Sequence, residues 1–175
     1  MQQVNKSVSK PKIGDWCWHI HHELLLEPLT EPLERRISHI KTFKHPEEIP
    51  IRLKLLKPVR KKTSIPLYVR RAYTEWLNAI KELERADAEC NKVYLYWLEI
   101  DSKYDKLTPE WINATTEWNR VDAKWNGIYS VWYKAEQKYR HTYANWQSSL
   151  EWSDILELHK QECPKCPWNG RSIFK

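Results

Sequence analysis

Residues 108–146 read TPEWINATTEWNRVDAKWNGIYSVWYKAEQKYRHTYANW, and a large aromatic returns in them at every seventh position. Trp111, Trp118, Trp125 and Trp132 keep the beat, Tyr139 takes the next place and Trp146 completes it. Seven residues make nearly two helical turns, so aromatics at that spacing form one stripe along a helix. Three residues on from the stripe stand Ala114, Val121, Ile128 and Ala135, so bulky knobs alternate with shallow holes as in an a/d seam. Thr108-Pro109-Glu110 opens this helix, with Thr as the cap, Pro at the first helical position and Glu in the first turn.

The preceding segment repeats the scheme. Trp76, Leu83, Cys90, Trp97 and Tyr104 recur at seven, and Ala72, Ala79, Ala86, Val93, Ile100 and Leu107 keep the second beat. Two heptad helices joined by so short a connection pair as an antiparallel hairpin. With arms at 66–107 and 109–159, the hairpin would extend roughly 60 Å and 75 Å, at about 1.5 Å per residue. Gly127 lies off the seam and costs about 1 kcal/mol there. After Trp146 the phase shifts through Leu150, Trp152, Ile155 and Leu156, and the segment from Lys160 to Pro164 ends the arm. Tyr129, Tyr133, Tyr143 and Trp152 fall outside the stripe and are available either to the N-terminal helices or to a partner. An exposed aromatic seam could also join two hairpins as a homodimer.

Composition supports a helical class. The 11 Trp and 9 Tyr stand against 2 Phe, so most aromatic area carries a polar tip. Only 3 glycines are present in 175 residues, which argues against a turn-rich sandwich or barrel. No apolar run approaches the ~18–20 residues needed to span a bilayer, so no membrane contact is expected. Met1 to Asp15 is polar and lysine-bearing, without the apolar stretch of a signal peptide. Four cysteines without an export signal read as metal ligands or buried thiols rather than disulfides, and the expected location is intracellular, in the cytoplasm.

The cysteines point to zinc. Cys163-Pro164-Lys165-Cys166, with Gly170 four residues on, resembles one knuckle of a zinc ribbon, in which two thiolates three apart approach one ion. One pair is half a site. The other half is sought in Asp15-Trp16-Cys17-Trp18-His19-Ile20-His21-His22-Glu23, the densest run of coordinating side chains. A hairpin that returns the chain to its starting point would bring the two stretches together. The expected ligands are Cys17, His21, Cys163 and Cys166, with His19 or His22 as alternatives to His21. A redox dithiol is the competing reading of Cys163 and Cys166. That motif belongs at the start of a helix that follows a strand, whereas here it follows a helix. Cys90 falls on the seam and reads as core; His39, His45, His141 and His159 read as surface or capping residues.

Charge is uneven. Residues 1–71 carry a balance of +8, residues 72–160 one of −4, and the last fifteen one of +2. Arg52, Lys54, Lys57, Arg60, Lys61, Lys62, Arg70 and Arg71 are packed closely enough to meet phosphates, with Tyr68 and Tyr73 beside them to stack on bases. No recognition-helix or RNA-module signature is present, so contact with nucleic acid would be to the backbone; an acidic protein is the other partner of matching charge.

The remaining segments are shorter. Thr30 is placed to cap a helix with Pro32 in its first turn and Leu33, Ile37, Ile40 and Phe43 on one face, ended by His45-Pro46. The stretch 46–56 fits either a short helix or a strand, the helix being preferred because Glu47 and Glu48 suit its N-terminus. Lys57 to Pro66 reads as a linker.

The expected molecule is mainly α. A flexible basic tail (1–14) precedes a zinc-stapled head built from 15–65 and 160–175, and the head carries the hairpin of 66–159. The expected role is a non-catalytic zinc-binding adaptor that contacts nucleic acid or an acidic protein through the head and assembles through the hairpin. Two alternatives stand beside it: a metal-dependent nuclease or hydrolase centred on His21, His22 and Glu23, or a purely structural interaction module.

Overall fold

A computed structural model describes residues 10–60 and 64–174. The described chain is mainly helical, with a small sheet near its start, and it divides into two units. One contains the residues through Pro66 together with those from Gln147 on; the other is Leu67–Trp146.

The first unit begins with the strands β1 (Trp16–Trp18) and β2 (Leu26–Pro28), then the helices α1 (Leu33–Phe43) and α2 (Ile49–Leu55), then the short strand β3 (Lys57–Pro58). The sheet runs β2-β1-β3, with β1 central and both pairings antiparallel. Pro28 and Pro58 both sit on edge strands, where a missing N–H breaks no ladder. These strands are too short to display the alternation that marks a strand in sequence, and β3 occupies part of the expected linker.

Alternation decides what β1 does. Trp16 and Trp18 share one face, and Cys17 takes the other, because successive strand side chains point oppositely. Cys17 packs with Ile20 and Leu29, bordered by Leu33 and Leu56. Helix α1 is capped by Pro32, whose carbonyl receives the Arg35 and Arg36 N–H groups, so Thr30 is not the cap. The segment 49–55 is helical, with Pro50 in the first turn. Two arginines are buried here. Arg36 Nη2 donates to the Ile20 carbonyl at 2.6 Å, and Arg52 Nη2 donates to Glu48 Oε2 at 2.7 Å while its guanidinium lies 4.8 Å from the Phe174 ring centre.

The second unit is the pair α3 (Leu67–Lys103) and α4 (Pro109–Gln147), which pack together. Contacts step in opposite directions along the two helices: Trp76 stacks on Tyr139 at 5.1 Å, Tyr94 meets Trp118 at 5.1 Å, and Trp111 Nε1 donates to Asp101 Oδ1 at 2.7 Å. The helices are therefore antiparallel. Along the seam the small residues Ala72, Ala86, Ala114 and Val121 are buried, whereas Trp97, Trp111, Trp118, Trp125 and Trp132 are half-buried. An indole is too wide to be covered by one facing helix, so its N–H end reaches the rim: Trp97 bonds Thr115 Oγ1 and Trp125 bonds Asp87. Of the residues outside the stripe, Tyr129 and Tyr133 are exposed, Tyr143 is buried and Trp152 is half-buried.

Both arms are shorter than expected. Helix α3 stops at Lys103, and Leu107, assigned above to the seam, is 85% exposed in the turn with φ of 102°. Asp105 accepts the Thr108 N–H there at 3.1 Å, which makes Leu107 the third residue of a turn that favours glycine. Thr108 Oγ1 then receives the Trp111 N–H at 3.3 Å, as its capping position requires. Helix α4 ends at Gln147. A turn through 148–151 starts the separate helix α5 (Trp152–Glu162), which belongs to the first unit. The phase shift after Trp146 is thus a helix boundary rather than a loosened coil. No helix of the described residues is long and apolar enough to cross a membrane.

Candidate metal centre

Three donor atoms from three elements converge inside the first unit. His19 follows β1, His159 lies on α5, and Cys166 lies in the turn after α5. His19 Nε2 is 2.9 Å from His159 Nε2 and 3.2 Å from Cys166 Sγ, and the three donor atoms all lie within 4.8 Å of one another. Both imidazoles are buried, at 2% and 6% exposure.

Local backbone sets each donor. His19 has φ of 52°, the left-handed region, at the point where the chain leaves β1; histidine is among the few residues that tolerate it. Its N–H is bonded to the Leu25 carbonyl at 3.1 Å, which fixes the turn. His159 belongs to the buried face of α5 with Ile155 and Leu158, an i, i+3, i+4 set. Cys163 to Cys166 is a tight turn in which the Cys163 carbonyl accepts the Cys166 N–H at 3.1 Å. Pro164 supplies the fixed φ of its second position, and Lys165, with φ of 63°, takes the third. The Trp168 backbone N–H donates to the Cys166 sulfur, as knuckle turns do when they stabilise a thiolate.

The surroundings hold these groups together. Trp18 Nε1 donates to Glu162 Oε2 at 2.9 Å, and the same carboxylate accepts the Arg60 N–H, so α5 is tied to the edge of the sheet beside the site. The Trp18 ring lies 5.2 Å from His159, and Trp168 lies 5.6 Å from His19. Cys163 is 2% exposed and shares a solvent-open cleft of about 380 Å3 with His159, Cys166, Lys160, Lys165 and Trp168.

Burial dominates the electrostatics. It pulls the His19 pKa down to about 4, with the neighbouring His159 adding to the effect, and it lowers that of His159. Burial also pushes the Cys163 thiol up to about 11 and raises Cys166, the latter partly offset by the Trp168 N–H and by Lys57. The converging donor set is therefore two neutral imidazoles and one thiol, with the Cys163 thiol lining the same cleft outside that group. A proton can satisfy one contact of His19 Nε2, not both, and His19 Nδ1 is buried with no partner among the described residues. A cation would take all three lone pairs at once. His19, His159 and Cys166 could thus hold a metal ion.

The expected ligands divide. Cys166 is at the cluster, and so is His19, one of the histidines weighed as an alternative; Cys163 lines the same cleft. Cys17 is not brought there, because strand alternation sends it into the apolar cluster. His21 turns away to Glu27, Nδ1 to Oε2 at 2.8 Å, and His22 pairs with Glu23 at 3.4 Å and packs on Phe174. His159 corrects the reading of it as a surface or capping residue. Its signal was present as His159-x-x-x-Cys163-x-x-Cys166, one histidine a helical turn before the knuckle.

The basic residues also divide. Arg52 is buried against Glu48 and unavailable to a partner; Lys57 is half-buried; Lys54, Arg60, Arg70 and Arg71 are exposed; Lys61 and Lys62 lie outside the described residues. No protein-family model, curated protein or solved structure matches this chain.

Proposed function

We propose that the protein is a non-catalytic zinc-binding adaptor. The observation that carries this reading is the convergence of His19 Nε2, His159 Nε2 and Cys166 Sγ from a strand end, a helix and a turn. Nitrogen and sulfur donors without a carboxylate suit zinc and exclude the hard cations, which require oxygen. Two nitrogens on one tetrahedral zinc stand roughly 3.3 Å apart, given bonds of about 2.0–2.1 Å. The 2.9 Å spacing of the imidazole nitrogens needs only a few tenths of an ångström of adjustment. Cys163 is the fourth ligand in this reading, since its turn presents two cysteines three apart. Four protein ligands leave no position for water, so the ion is structural. It ties the end of β1 to α5 and to the C-terminal segment.

The adaptor role rests on charge and shape. Lys54 and Arg60 offer an anion-facing surface on the zinc-bearing unit, and nucleic acid backbone or an acidic protein fits it. Tyr129 and Tyr133 give the helical pair an aromatic surface for assembly.

Thermal unfolding with and without a zinc chelator tests the metal reading. The chelator is expected to lower the Tm of the protein and of Cys17→Ser, and to leave Cys166→Ser unmoved. A Tm indifferent to chelation removes it. For the partner, affinity for duplex DNA or RNA is expected to fall steeply with salt and with Arg60→Glu, and salt-independent affinity counts against nucleic acid.

A further inference from the structure

Cys163 and Cys166 differ in one respect that matters to oxidation. Cys163 is 2% exposed, whereas Cys166 is half-exposed on the solvent-open cleft. The turn between them, closed by the 3.1 Å bond from the Cys166 N–H to the Cys163 carbonyl, is the class in which first and fourth Cα atoms lie within ~7 Å. A disulfide requires roughly 4.4–6.8 Å between Cα atoms, a range that the span of such a turn overlaps. Of the other two cysteines, Cys17 faces the apolar cluster and Cys90 lies on α3 in the other unit.

From this pairing we infer that the site is a peroxide-responsive zinc switch, in which oxidation of Cys163 and Cys166 to a disulfide releases the ion. The inference rests on the metal reading above. The Cys166 thiolate, facing the cleft, attacks one oxygen of hydrogen peroxide; the O–O bond breaks and hydroxide leaves, taking a proton to become water. Cys166 is then a sulfenic acid. The buried Cys163 thiolate attacks that sulfur, the S–S bond forms, the S–O bond breaks, and a second hydroxide leaves as water after taking another proton. Two electrons pass from the sulfurs to the peroxide oxygens. The disulfide sulfurs no longer carry the charge that held zinc, and two neutral imidazoles alone bind it weakly. Release unties His19, and with it the end of β1, from α5 and the knuckle.

The experiment uses the zinc-loaded full chain, with metal content measured before any oxidant is added. Hydrogen peroxide is then titrated while a chromogenic chelator reports released zinc and a thiol reagent counts free cysteines after denaturation. The expected result is release of one zinc per chain together with loss of two of the four thiols. Peptide mapping should show Cys163 joined to Cys166, and a dithiol reductant with added zinc should restore both counts. Cys163→His keeps four ligands but cannot close the disulfide; it should bind zinc and lose any peroxide response that a dithiol reverses. Zinc retained after two thiols are lost, or zinc released with Cys163 and Cys166 unlinked, overturns the switch while leaving the metal site standing. A chain that holds no zinc before oxidation overturns both.

Discussion

His19 is one of two non-glycine residues of the first unit, with Lys165, described at positive φ. Its φ of 52°, its burial and an Nδ1 with no partner among the described residues all cost stability in the metal-free chain. The pH dependence of the chelated protein follows. Folded His19 takes a proton only near pH 4, whereas an unfolded histidine does so near 6.5. The unfolded chain therefore binds the proton first as pH falls, and stability present above 6.5 is lost down to about 4. His19→Asn tolerates the left-handed backbone and carries no titrating group, so its stability should change less over that window; equal slopes in urea titrations would count against the burial of His19. The pair of Arg52 and Glu48 gives a second residue-level outcome. Glu48→Gln leaves a buried guanidinium without its counter-charge and should lower stability by about 2 kcal/mol, read from denaturant midpoints.

Elements were unevenly legible. The heptad of Trp111 to Tyr139 specified α4 and its antiparallel partner because a two-helix seam repeats over many turns. Their ends were not specified: Leu107 fits the period yet occupies a turn, and a helix boundary at 148–151 looks in sequence like a shift of phase. The strands were not legible because three residues or fewer show no alternation, and without β1 the face that Cys17 takes could not be read. Substitutions on the helical pair should reflect the packing. A Cβ at Gly127 would meet no atom within 4 Å, so Gly127→Ala should raise stability by about 0.5–1 kcal/mol through helix propensity alone. Val121 is 2% exposed, and Val121→Ala should cost about 1.5 kcal/mol at ~0.8 kcal/mol per methylene-sized group. Leu107→Gly should relieve the strained turn and raise the Tm, and a lower Tm would contradict the positive φ at Leu107.

At the scale of the molecule, the candidate site joins the start of the chain to its end: His19 with His159 and Cys166, within one unit that the helical pair interrupts in sequence. The knuckle was legible from local spacing, since Cys163 and Cys166 lie three apart. The partner histidines were not, because a separation of 140 residues between His19 and His159 leaves no spacing rule to apply, and only the fold selects among His19, His21 and His22. The central claim is a closed zinc site of two histidines and two cysteines. Zinc-edge X-ray absorption of the full-length, zinc-loaded protein tests it most directly. The expected first shell is two nitrogens at about 2.0–2.1 Å and two sulfurs at about 2.3 Å, with one sulfur lost in Cys163→Ser. A single sulfur with oxygen completing the shell, or a chain that retains no zinc, would contradict it.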